Sequence, residues 1–115
     1  MITKTRIVGD VHIIELAGRF EASTVSSIAP WLEEVTSTPA ARVLVNLAQT
    51  TFIDSTALAL LVQSLKRVQQ RGGELALCGM SRPVFMIFEL TRLDKAFTIF
   101  VDEDHALQSL ASMAR

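Results

Sequence analysis

Residues 54–56 place a carboxylic acid and two hydroxyls in a row, Asp54-Ser55-Thr56, between two apolar segments. Side chains of these types accept hydrogen bonds from the unpaired amides in the first turn of a helix, so the simplest interpretation is a helix N-cap. These three residues alone leave other roles open.

A second candidate role for Ser55 is that of a nucleophilic serine, with His12 or His105 as its base. The sequence around this serine is not GxSxG, and nothing in one sequence brings either histidine next to it. The five glycines form no phosphate-binding loop, and the single cysteine, Cys78, has no partners at the spacing of a zinc site. We therefore expect a protein that is not an enzyme and has no cofactor or metal, with Cys78 as a small buried strand residue.

The composition argues against two further classes of partner. The chain has 115 residues, half of them apolar, which suits one domain with a real core over residues 1–115. Its 11 basic and 12 acidic residues nearly balance, so we expect no nucleic-acid partner. The apolar runs are too short to span a bilayer, and residues 1–10 lack the apolar segment of a signal peptide. We expect a cytoplasmic protein without membrane insertion.

Alternating strands and helices must position Asp54-Ser55-Thr56. The segment RIVGDVHIIELAG predicts two antiparallel strands joined by a tight turn at Gly9-Asp10. Helical spacing starts at Glu21, and Pro30 should kink or split that helix. The segment RVLVNL is almost continuously apolar, which is typical of a central strand covered on both faces.

The second half of the chain continues the alternation. Apolar residues at helical spacing follow Asp54 and stop at Gly72-Gly73. Two further strands, ELALC and FTIF, flank a helix that Ser81 can cap, and a last helix follows Asp102. The inward positions of the last two helices are predicted to be Val84, Ile87, Phe88 and Thr91, then Ala106, Leu107, Leu110 and Met113. The pattern predicts an α/β fold: a mixed, mostly parallel sheet of about five strands with about four helices packed on it.

Three segments together resemble the STAS domain family, the sulfate transporter and anti-sigma factor antagonist fold, and most of all its free-standing bacterial anti-sigma factor antagonists. They are LAGRFEAST, VNLAQTTFIDSTALALL and GGELALCGMSRPVFMIFELTRL, and the resemblance extends nearly from end to end. It implies that the partner is an anti-sigma factor that is also a serine kinase, that this kinase phosphorylates Ser55, and that a separate serine phosphatase reverses the mark. Thr56 is the alternative acceptor.

The resemblance also implies a partner-binding surface at Glu21, Asp54, Ser55 and Thr56. Glu21 stands where the family usually has aspartate, and Ala57 stands where it usually has glycine.

Phe85 and Met86 extend this expected surface. Helical spacing points both toward solvent, where they would contact the partner or a second copy in a weak homodimer, unless Phe85 folds back along the sheet edge. The alternative function is that of a STAS scaffold subunit in a stressosome-like complex, or of a cytoplasmic accessory of a lipid transporter.

Overall fold

A six-stranded sheet with helices on both faces organises the chain in the computed structural model, which describes residues 1–112. The strands are β1 (Ile2–Val8), β2 (Val11–Phe20), β3 (Arg42–Asn46), β4 (Thr50–Ile53), β5 (Glu74–Cys78) and β6 (Thr98–Phe100). The helices are α1 (Ala22–Val25), α2 (Ala29–Thr36), α3 (Ser55–Gln70), α4 (Arg82–Leu90) and α5 (Glu103–Ser112). The predicted α/β class is confirmed.

Five of the six strands follow the order β1-β2-β3-β5-β6, and the sixth, β4, lies off this path, paired with β2. The β1–β2 pair is antiparallel, and the other pairs are parallel. The predicted count of about five strands did not treat β4 as a strand of its own. The count of helices was one short because Pro30 lies in the first turn of α2 and separates that helix from α1. A proline there removes an amide that has no intrahelical partner, so the split leaves no hydrogen bond unmade.

Two apolar cores lie on the two faces of the sheet. The larger one lies under α1–α4, and α5 covers the other face, where Ala106 and Leu110 are buried as predicted. Leu107 packs against that second core, whereas Met113 falls outside the described residues. Cys78 is buried there too, and burial raises the pKa of its thiol to about 12. The prediction of a small buried strand residue is confirmed.

The turn from α3 into β5 depends on the absence of a side chain at Gly73. A Cβ at this position would lie 2.8 Å from both Ala41 N and Val68 Cγ2, and closer still to Ala41 O. We therefore expect Gly73→Ala to lower the free energy of unfolding by roughly 1–3 kcal/mol, the usual cost of overpacking, in a urea titration.

Gly72 provides the matched control, since its φ is +74° and nothing lies within 4 Å of a Cβ built there. Asparagine tolerates this left-handed conformation, so Gly72→Asn should cost less than Gly73→Ala. Equal losses in the two variants would mean that the turn conformation matters more than the contact with Ala41.

None of the helices within residues 1–112 combines the length and the apolar character needed to cross a membrane.

Candidate functional site

Asp54 is the N-cap of α3 and also binds α1. Its Oδ1 accepts a hydrogen bond from the Ala57 amide at 2.9 Å, and its Oδ2 accepts one from the Ala22 amide, also at 2.9 Å. Its own amide donates to Phe20 O at 3.3 Å. One carboxylate therefore holds the first turns of two neighbouring helices together.

The parallel pairing of β2 with β4 produces this arrangement. Phe20 and Ile53 are the last residues of these strands, they pair in register, and both are buried. Each strand leads into a helix two residues later, so α1 and α3 begin side by side at one edge of the sheet. Unpaired amides from both helix starts lie at this edge, which favours negative charge there.

The hydrogen bonds to Asp54 also fix its charge. The amide of Ala57 contributes most, and that of Ala22 next, to holding the pKa of the Asp54 carboxyl below its ordinary value of 3.8. A carboxylate that accepts backbone amides is stabilised in its ionised form. Asp54 is therefore negatively charged at neutral pH.

Ser55 and Thr56 are the first two residues of α3, and both are exposed. Within the described part of the chain, neither hydroxyl makes a hydrogen bond. Both hydroxyls therefore point to solvent at the start of a helix, where a modifying enzyme can reach them. Ala57, by contrast, is buried, so the methyl group that it adds relative to glycine lies in the core and takes no space from a partner.

Glu21 is the N-cap of α1 and lies beside the start of α3. Its amide donates to Thr24 Oγ1 at 3.0 Å, and its carboxylate accepts from Arg19 Nε at 3.0 Å. The Arg19 guanidinium in turn lies over the ring of Phe52, 4.0 Å from its centroid, in a cation–π contact. Glu21 is thus held in place by Arg19, next to the helix starts that Asp54 joins.

Sequence reasoning missed Arg19 and Phe52. They are cross-strand partners in the β2–β4 ladder, which also contains a bulge between Gly18 and Arg19. The signal that could have found them was the short run Thr50–Ile53, had it been interpreted as a strand parallel to β2. Register between strands distant in sequence does not follow from the pattern of either strand.

The expectation that Phe85 and Met86 are both exposed holds for Met86 and is wrong for Phe85. Met86 is 46% exposed, but Phe85 is half-buried and lines a cavity of about 250 Å³ next to β6. The other lining residues are Met80, Ile99, Phe100 and Val101. The ring folds toward the sheet edge because the short edge strand β6 leaves apolar surface there for it to cover.

Thr91 also differs from its prediction. It is exposed instead of facing inward because it ends α4 as the C-cap, where its Oγ1 donates to Ile87 O at 2.7 Å. The rest of the predicted inward stripe is correct, with Val84 and Phe88 buried and Ile87 half-buried. Because α4 packs against β4, the strand that leads to Ser55, the two parts of the expected surface lie on neighbouring elements.

A hydrolytic site does not form around Ser55. His105 lies on α5, across the sheet from α3, with its Nδ1 2.7 Å from Asp102 Oδ1. His12 lies near the start of β2, at the opposite end of that strand from Phe20. Their separation of eight residues spans about 26 Å of strand, at 3.3 Å per residue. In residues 1–112, no group of three or more His, Cys, Asp or Glu side chains is placed to hold a metal ion.

Comparison with known proteins agrees with the geometry. The family model of the STAS domain matches residues 3–106. An anti-sigma-B factor antagonist of Listeria monocytogenes is 33% identical over 89 residues, covering 76% of this chain and 78% of the relative. An anti-sigma-factor antagonist (STAS) domain protein from Planctomyces limnophilus superposes with a TM-score of 0.86 at 24% identity, over 95% of this chain and 97% of that one. The Bacillus cell fate determinant SpoIIAA in its phosphorylated form superposes with a TM-score of 0.72 at 17% identity, over 94% and 98%.

Proposed function

Because the chain belongs to the STAS domain family, we propose that it is an anti-sigma factor antagonist, whose unphosphorylated form binds a cognate anti-sigma factor in the cytoplasm and so frees a sigma factor. The name of the Listeria relative supports this binding role. The anti-sigma factor in this proposal is also a serine kinase. It phosphorylates Ser55, with Thr56 as the alternative acceptor, and a serine phosphatase restores the binding form.

One observation carries the proposal: the first residue of α3, Ser55, exposes a hydroxyl that makes no hydrogen bond within residues 1–112, directly after the ionised carboxylate of Asp54. The phosphorylated SpoIIAA neighbour shows that this fold can exist in a phosphorylated form. The partner surface in this proposal comprises Glu21, Asp54, Ser55 and Thr56. Met86 and the accessible edge of Phe85 extend it along α4.

A phosphate at this position is strong enough to act as a switch. It adds roughly −1.5 to −2 charges, and one unit charge 4 Å from another contributes on the order of 4 kcal/mol at an effective dielectric constant near 20. Shifting a binding equilibrium from 99% to 1% of the binding-competent state takes about 5.5 kcal/mol. Repulsion together with the cost of desolvating the phosphate reaches that range, and no rearrangement of the fold is needed.

Phosphate transfer tests the assignment to Ser55. Incubated with ATP and the anti-sigma factor kinase that binds the wild-type protein, the wild type should be labelled on Ser55, as read by phosphopeptide mass spectrometry. Ser55→Ala should lose the label and Thr56→Ala should keep it, because the proposal places the phosphate on Ser55 although both residues are exposed.

Ser23→Ala is the matched control, since Ser23 is an exposed serine on the neighbouring helix α1 and should not affect labelling. A full label on Thr56 in Ser55→Ala would move the site by one residue. If the wild type binds no kinase and no variant is labelled, the proposed function itself is contradicted.

A further inference from the structure

The outward face of α4 carries a charge pattern that complements itself. Arg82, Phe85, Met86 and Glu89 fall at i, i+3, i+4 and i+7, so they form one stripe along the helix. Arg82 and Glu89, at the two ends, are exposed, and neither belongs to an ion pair within residues 1–112. The stripe is therefore positive at its start, apolar in the middle and negative at its end.

Further apolar surface borders this stripe. Leu90 is 78% exposed and Val101 is 76% exposed, and the cavity beside Phe85 lies between α4 and β6. Contiguous exposed apolar surface with a charged rim is typical of a protein interface.

We propose that α4 pairs with α4 of a second copy of this chain across a two-fold axis that passes between Phe85 and Met86. In this antiparallel pairing Phe85 of one copy meets Met86 of the other, and Arg82 meets Glu89, each contact occurring twice. Arg82 and Glu89 lie about 10.5 Å apart along the helix axis, so both ion pairs and both Phe–Met contacts fit within one helix length. Contacts between a methionine sulfur and an aromatic ring are favourable.

A second copy fits this face because a two-fold interface requires a surface that complements itself. The α4 stripe meets that requirement through its opposite charges at equal distances from the centre. The edge strand β1 also exposes apolar side chains but complements itself less well. Full-length antiparallel self-pairing of β1, centred on Thr5, would set Lys4 opposite Arg6 of the second copy, and like charges directly opposite are destabilising.

The dimer covers the same side chains of α4 that extend the proposed partner surface. Dimerisation and anti-sigma factor binding therefore exclude each other at Phe85 and Met86, and the monomer is the form that binds. The dimer itself does not depend on the proposed function. Because each copy contributes little more than one nine-residue helix, the interface is small and the dimer is weak, forming at high protein concentration.

Charge reversal tests the pairing by sedimentation equilibrium up to about 1 mM protein, a range in which weak dimers populate. The wild type should show a monomer–dimer equilibrium. Arg82→Glu and Glu89→Arg each create two like-charge pairs across the axis, so each should dimerise at least about tenfold more weakly. An equal mixture of the two variants should form a heterodimer, since every cross pair is then of opposite sign, and the double variant should dimerise like the wild type.

Both reversals should stabilise α4 within the monomer, because they place a negative charge in the first turn of the helix and a positive charge in the last, where each interacts favourably with the helix dipole. Lys66→Glu on α3 and Glu33→Arg on α2, both exposed, are the matched controls and should leave dimerisation unchanged. Circular dichroism checks the fold. If a charge reversal unfolds the protein, the neutral variant at the same position, Arg82→Gln or Glu89→Gln, replaces it and should also weaken dimerisation. A wild type that is monomeric at about 1 mM, reversals that dimerise normally, or a mixture that stays monomeric would each overturn the pairing.

Discussion

Ser55→Asp is expected to bind the anti-sigma factor at least about tenfold more weakly than wild type, whereas Ser55→Ala should bind like wild type with or without ATP. The aspartate sets a second carboxylate beside Asp54 on the proposed partner surface. It carries less charge and fewer acceptor oxygens than phosphate, so it should reproduce only part of the phosphate effect. Isothermal titration calorimetry with the purified partner measures both affinities.

Gln63→Glu is the control for a non-specific effect of charge. Gln63 is exposed on the same helix, eight residues after Ser55, and the variant adds the same negative charge away from the helix start. Its affinity for the partner should match that of the wild type. If Ser55→Asp and Ser55→Ala bind equally well, the charge at Ser55 does not control the interaction.

The start of α3 could be predicted because its determinants are local. Asp54 is a good capping residue, the apolar spacing begins within a turn of it, and Gly72-Gly73 ends the pattern. The split at Pro30 and the turn at Gly9-Asp10 follow equally from neighbouring residues, since φ is +62° at Gly9 and Val8 pairs with Val11. Features set by residues close in sequence are thus within reach of sequence reasoning.

The contacts that assemble the site could not be predicted, because each joins residues distant in sequence. The bond from the Ala22 amide to Asp54 spans 32 positions, and the stacking of Arg19 on Phe52 depends on the register of β4 beside β2. Phe85 shows the same limit. Helical spacing gives the direction of its side chain, but only the position of β6 decides whether apolar surface lies in that direction.

Asp54→Asn gives the second large effect, and here the structure changes the expectation. As a cap alone, asparagine is about as good as aspartate, and the sequence predicts near-normal thermal stability. In the structure both carboxylate oxygens accept backbone amides, one from Ala57 and one from Ala22. Asparagine offers one oxygen, and its amide group would face a second donor. We therefore expect Tm to fall by about 5 °C, in addition to a loss of partner binding.

The pH dependence of Tm distinguishes the loss of a hydrogen bond at Asp54 from a general loss of negative charge. The pKa of Asp54 is lowered in the folded protein, so its stabilisation is fully present above the unfolded value of about 3.8 and is lost as pH falls through the folded pKa. The gap in Tm between wild type and Asp54→Asn should therefore be constant between about pH 5 and 7 and should narrow in more acidic buffer. Asp104→Asn makes the same chemical change at an exposed carboxylate that has no hydrogen bond within residues 1–112, and it should show little gap at any pH. A gap of equal size for both variants, or one that widens toward low pH, would show that the bridge from Asp54 to α1 does not stabilise the fold.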